Sequence, residues 1–509
     1  MVFNSYIFIL FFLPLSVIGY FLLNKRKNSN SQKDLFWLLG MSFAFYAYSI
    51  PLFLGFLILS IWINYYLGKR FYIFNKKDEE GNRKRKKILI IGLILNLLPL
   101  IGFKYTNFLL GLTWDIWYKK WHWNMEHPLD IAVPLGISFF TFMQIAYLVD
   151  CYRTEKGFDY SFLEYATYVA FFPKITMGPI ALHDEIIPQF RDDSKKIINY
   201  NNLSGGLYAF ALGLAKKVLI ADTLAKIVNA CYAEVYYLNT MTSIVVMVCY
   251  TLQIYFDFSG YCDMAAGAAR MINIELPLNF NSPYKAKSIS EFWERWHMTL
   301  TRFFTRYVYI PLGGSRKGKL RTYINTMIVF LISGLWHGAD VGFIIWGFWH
   351  GVIMVIEKVG KDLGLSIKNL TGIPRKILDI LRWLATFVIL NITWMYFRAG
   401  SSHFVGAYFG RLPTGGWEVQ HYVMDVVNEL IEIRILKRFG LTSILEYSMN
   451  ATVWVIILLL IAAVVFMKNT QEKEKLEKYN WKRGILTVVL LVWSIVSLSD
   501  VSEFLYFDF

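Results

Sequence analysis

Apolar runs of about 20 residues recur along this chain from one end to the other, each long enough to cross the roughly 30 Å of hydrocarbon in a bilayer. The runs are continuous, whereas a membrane-spanning barrel shows short segments of alternating polarity. The sequence therefore predicts an all-α polytopic integral membrane protein. Only 17% of the 509 residues are charged, against about a quarter in soluble proteins. The first run, YIFILFFLPLSVIGYFLL, lacks a basic leader and a small-residue cleavage site and is followed by NKRKN. It reads as a retained span rather than a signal peptide.

The net charge of +15 is spread over the connectors between runs. That pattern points to basic cytoplasmic loops facing a lipid bilayer and away from a nucleic-acid surface. Lys25, Arg26, Lys27 and the run Arg83 to Lys87 fix the first two cytoplasmic loops, which puts the N-terminus outside. Between them, 35–66 is expected to be a hairpin turning near Ser49-Ile50-Pro51. A span at 88–103 exits, a loop with His122 and His127 lies outside, and 131–149 returns. Residues 150–202 are cytoplasmic or re-entrant. Spans at 203–225 and 241–260 follow, the first interrupted by Lys216 and Lys217. The basic stretch 261–321 is inside, 322–358 forms a second hairpin, and spans at 377–398, 451–467 and 484–500 leave the C-terminus outside. Cys151, Cys231, Cys249 and Cys262 form no CxxC and lie in apolar surroundings, which excludes a disulfide framework or thiolate metal site. Residues 1–509 read as one transmembrane domain, with the chemistry concentrated in 250–358.

Residues 281–321 combine Phe292, Trp293, Trp296, Phe303 and Phe304 with Arg295, Arg302 and Arg306. Ser290, with Glu291 and Glu294, is the expected N-cap of a helix lying along the cytoplasmic interface. Two readings stay open for its arginines: a lipid-headgroup anchor, or a docking surface for a phosphorylated anionic cosubstrate.

The stretch SGLWHGADVGFIIWGFWHG places two Trp-His-Gly units in bilayer-like sequence. Ionisable groups there are costly and face a bundle interior or a water-filled cavity, so His337 is a functional candidate. Its pKa range suits a general base. If its helix starts near Arg321, sixteen residues place it on the order of 24 Å deep. His350 falls nearly opposite His337 on an unbroken helix and reads as a structural hydrogen-bonding residue. A metal site from His297, His337 and His350 finds no HExxH or carboxylate support. His183, His403 and His421 read as surface residues. Asp257 and Asp263, in QIYFDFSGYCDMAAG, read either as partners of an arginine or a histidine, or as polar glue in a helix contact made through Ser259 and Gly260.

Taken together, SEFWERWHMTLTRFFTRYVYIPLGG and SGLWHGADVGFIIWGFWHG resemble the membrane-bound O-acyltransferase family, in its alginate O-acetyltransferase-like branch. MVFNSYIFILFFLPL, VPLGISFFTFMQIAYLVD, YVAFFPKITMGPI, QIYFDFSGYCDMA and FLYFDF agree with it. The resemblance implies a ring of tilted helices around a central funnel, with His337 as the essential residue and His297 as its active-site companion. Read from the residues themselves, Arg295, Arg302, Arg306, Trp296, Trp336 and Asp257 are the expected substrate- or donor-binding set, with His350 structural near the site. The implied cosubstrate is acetyl-CoA, no cofactor or metal is bound, and the acetyl group goes to an extracytoplasmic polysaccharide through an SGNH-hydrolase-like acetyltransferase partner. Lys174 departs from the pattern, where a polar uncharged residue is expected, and 399–450 has no clear counterpart. Rival readings are a teichoic-acid D-alanyl transferase using a carrier-protein thioester, a transporter, and a scaffold. No pair of repeated halves with broken helices supports a transporter.

Overall fold

The computed structural model describes residues 1–24, 32–74, 76–121, 132–364, 372–399, 402–438, 449–470, 472, 480–500 and 504–505. Among these the chain is helical or irregular, without a strand. The expected outer loop with His122 and His127 lies outside the described residues, and so does the side chain of His403. Six described helices are long and apolar enough to cross a membrane, and two shorter apolar helices, Phe8–Asn24 and Ala451–Phe466, accompany them. The protein is a multi-pass membrane protein.

The first hairpin turns where expected. Helix α1 (Leu13–Asn24) is followed by α2 (Lys33–Ser49), which stops at Ile50, and Pro51 opens the single turn that leads into α3 (Leu54–Ile73). A proline cannot donate into the preceding helix, so the break follows from the sequence. Helix α4 (Glu79–Trp121) far exceeds the expected span, and α5 (Ile137–Arg153) runs beside it.

Two short helices, α6 (Phe162–Ala170) and α7 (His183–Arg191), flank a non-helical stretch, 171–182, that is buried throughout. Irregular backbone at such depth is tolerated only inside protein, which favours the re-entrant reading of this region. The α6 N-terminus carries a capping box between Ser161 and Glu164, and Arg191 pairs with the same carboxylate. Burial pushes the Glu164 carboxyl up, but the bonds from Arg191 and Ser161 outweigh it and hold it below the usual glutamate range. Its stabilisation is therefore full above the ordinary glutamate pKa and fades as pH falls through the lowered value. Thermal midpoints of wild type and Glu164→Gln are expected to converge on acidification; a constant gap would contradict this.

The centre of the molecule is α10 (Thr240–Met271). Its apolar window is 83% buried, against 17% for the outer Glu79–Leu110 span. It packs antiparallel on α8 (Tyr200–Ala215) through paired glycines. A Cβ on Gly206 would lie 2.6 Å from the Gly267 carbonyl oxygen, and one on Gly213 would lie 2.5 Å from that of Gly260. This close approach is the helix contact expected around Ser259 and Gly260.

It also decides the partners of the buried acids. Lys217 Nζ lies 2.7 Å from Asp257 Oδ1 and 2.8 Å from Asp222, and Lys216 lies 2.6 Å from Asp263. Asp257 therefore pairs with a lysine, where an arginine or a histidine was expected. The two lysines do not spoil the span. They sit in a wide π-helical turn, Lys216–Ala221, that joins α8 to α9 (Asp222–Ala233) as one long membrane helix.

Candidate active site

The expected interfacial helix is broken in two. Ser288, not Ser290, is the N-cap: its hydroxyl accepts from the Glu291 N–H. Helix α11 (Ile289–Arg295) then stops, and α12 (Met298–Phe304) begins after His297, whose backbone is left-handed at φ 43°. A bulky residue held there stores strain of order 1–3 kcal/mol, so the surrounding structure has to fix it. Part of that fixing is the Met298 N–H donating to the Asn279 carbonyl at 3.0 Å.

The same asparagine holds the ring. His297 Nδ1 is 3.1 Å from Asn279 Oδ1, which also accepts from Thr299 Oγ1 at 2.8 Å and from the Thr299 N–H. Because the backbone N–H must donate, Oδ1 is the acceptor, and the neutral ring carries its proton on Nδ1. Its lone pair is then on Nε2, which is buried with no hydrogen-bond partner among the described residues. Replacing Asn279 by Leu leaves the imidazole N–H and the threonine without their acceptor. We expect a loss of about 1–3 kcal/mol, seen as a lower thermal midpoint in detergent; an unchanged midpoint would contradict the assignment.

His337 ends α13 (Lys319–His337), and α14 (Val341–Asp362) starts after three intervening residues. The second hairpin is thus as expected, and the break makes the unbroken-helix arithmetic for the two histidines inapplicable. The hairpin closes tightly, since a Cβ on Gly334 would lie 2.3 Å from the Phe343 carbonyl oxygen. His337 is 3% exposed, with its ring 4.9 Å from Trp336, 5.2 Å from Trp346 and 5.1 Å from Phe397 of α15 (Gly372–Ala399). Trp336 also lies 6.1 Å from the His297 ring, so one indole borders both imidazoles, which are within electrostatic reach of each other. His350 packs against Trp346 at 4.9 Å and accepts a hydrogen bond from Trp293 Nε1 at 3.2 Å.

The remaining candidates are placed differently from one another. Trp296 is 1% exposed inside an aromatic cluster with Phe292 and Trp394. Each arginine is engaged within the chain: Arg302 forks onto Glu185, Arg306 pairs with Asp150 at 2.9 Å, and Arg295 pairs with Glu291. Asp257 belongs to the Lys217 network described above. His183 is fully buried, 3.0 Å from the Tyr160 hydroxyl and 3.5 Å from Asp150, which corrects its reading as a surface residue; the aromatic shell of Tyr147, Phe158 and Tyr160 encloses it. His421 is exposed, as expected. Lys174 is fully buried, with its ammonium 4.2 Å above the Tyr168 ring.

A cavity of 210 Å³ opens between α12 and the α13–α14 hairpin. On α12 it is lined by Leu300, Thr301 and Phe304, and on α13 by Thr326, Phe330 and Ser333. Neither histidine lines it: His297 lies three residues before Leu300, and His337 lies four residues after Ser333. Lys358, which donates to Thr326 Oγ1 at 2.6 Å, lines the cavity at the opposite end of the α13 stripe. A larger apolar cavity of 530 Å³ lies by α8, α10 and the helix Met449–Phe466, and neither histidine lines it. Among the described residues, no three His, Cys, Asp or Glu side chains are grouped to hold a metal ion.

Residues 38–397 match the model of the membrane-bound O-acyltransferase family. Along its whole length the chain is 36% identical to a peptidoglycan O-acetyltransferase from Helicobacter pylori, covering 98% of that protein. It is 32% identical to a probable alginate O-acetylase from Pseudomonas putida, with both chains covered completely. A teichoic acid D-alanyltransferase from Bacillus subtilis matches over 44% of this chain and 58% of its own length, at 25% identity.

Proposed function

Because this chain belongs to the membrane-bound O-acyltransferase family and is an O-acyltransferase, we propose that it takes an acetyl group from a cytoplasmic thioester donor, acetyl-CoA, and delivers it across the membrane for O-acetylation of an extracytoplasmic polysaccharide. An SGNH-hydrolase-like protein is the proposed extracytoplasmic partner. The basic connectors support a cytoplasmic donor face with both termini outside. One observation carries this reading: His297 and His337, far apart in sequence, border the same buried indole, Trp336.

In the proposed reaction the donor's thioester enters along the cavity between α12 and the α13–α14 hairpin, with Lys358 near its phosphates. His337 removes the proton from the incoming hydroxyl, the oxygen attacks the acetyl carbonyl, and the thiolate leaves with the proton returned by the imidazolium. Two roles fit His297 in this reaction: orienting the reactants or stabilising the oxyanion. With its Nδ1 proton committed to Asn279, its neutral ring offers a lone pair, which supports the orienting role. Arg302 and Arg306 are each held by a carboxylate, so a phosphate would have to displace Glu185 or Asp150 to reach them.

The named activities of the relatives and the short reach of the D-alanyltransferase match favour acetyl over alanyl transfer. Purified protein in nanodiscs is expected to release free thiol from acetyl-CoA in the presence of an extracytoplasmic acceptor. Release from a D-alanyl carrier protein alone would overturn the proposed donor.

A further inference from the structure

The last turn of α13 is capped by another helix. Its four final carbonyls have no partner within the helix, and Gly338, at φ −162°, does not supply a left-handed cap. The Gly338 N–H reaches the Gly334 carbonyl at 3.4 Å. The other three carbonyls are taken by two neighbouring residues of α4. The Tyr105 hydroxyl donates to Leu335, and Lys104 Nζ donates to Trp336 at 2.6 Å and to His337 at 2.9 Å. The Lys104 Nζ sits at the negative end of the α13 dipole.

We propose that Lys104 is a positioning residue for the catalytic histidine: it fixes the His337 backbone through two carbonyls and so holds the ring against Trp336, Trp346 and Phe397. This rests on the reading of His337 given above.

The test compares Lys104→Met, which removes the N–H donors, with Lys104→Arg, which keeps them. Acetyl-CoA turnover is followed in nanodiscs. The Met variant is expected to lose on the order of 10²-fold in kcat, the loss that about 1 Å of misplacement brings, with donor KM nearly unchanged. The Arg variant is expected to stay close to wild type. A Met variant with wild-type kcat, or an Arg variant that behaves like Met, would overturn the proposal. If the Met variant does not fold, Tyr105→Phe removes one carbonyl partner: a kcat loss at unchanged KM supports the proposal and an unchanged kcat overturns it. Absence of turnover in wild type would instead refute the proposed function.

Discussion

Replacing His337 by Ala is expected to lower acetyl transfer by at least about 10²–10⁴-fold, the range that a positioned general base supplies, while leaving the amount of protein in the membrane unchanged. The α13 cap is made by the His337 carbonyl and not by its ring, so Lys104 and Tyr105 keep their acceptors in the variant. The matched control is His350→Ala. That ring is equally buried and touches the same Trp346, but its recorded bond is to Trp293 Nε1. Removing it strands a buried indole N–H at about 1–3 kcal/mol, and activity should stay within a few-fold of wild type. Measuring O-acetyl content of the polymer alongside immunoblot abundance separates the two effects. Equal losses in both variants would mean that the Trp-His-Gly units act together as packing.

The second large effect concerns stability. Lys217→Met is expected to cost about 3–5 kcal/mol, the penalty for breaking a buried pair by removing one partner. Lys217 is fully buried, and Asp222 and Asp257 are nearly so, which leaves two carboxylates in apolar surroundings without that cation. The Leu505 N–H donates to the other Asp257 oxygen at 3.2 Å, so the C-terminal segment should loosen as well. Arg302→Gln is the contrast. The Arg302–Glu185 fork is about one-third exposed, and such pairs contribute roughly 0–1 kcal/mol. Thermal midpoints in detergent should fall steeply for the first and little for the second. A Lys217→Met midpoint equal to wild type would show that the network carries no stability.

The parts of this fold that were legible in the sequence rest on local rules. The Ile50-Pro51 break is signalled by the residues that make it, and the second hairpin falls within the expected 322–358. The α8–α10 contact had a signal that went unused: Gly206 and Gly213 have the same spacing as Gly260 and Gly267, and the antiparallel pairing of the two sets brings Lys216 and Lys217 to the acids of α10. The break at His297 had none, because aromatic residues continue at helical spacing through it and the left-handed histidine is held by Asn279, 18 residues earlier. Lys104 lies 232 residues from the carbonyl it caps, beyond the reach of any periodicity argument. Arg302 and Arg306 were legible as charges but not as ion pairs, since Glu185 and Asp150 come from distant segments.

The central claim is that acetyl crosses the membrane at His337. Sealed proteoliposomes test it most directly, with labelled acetyl-CoA supplied at the face carrying the basic loops and a polysaccharide acceptor, with its extracytoplasmic partner, at the other. The account predicts labelled acceptor with wild-type protein and background label with His337→Ala. Equal labelling by both proteins would contradict it.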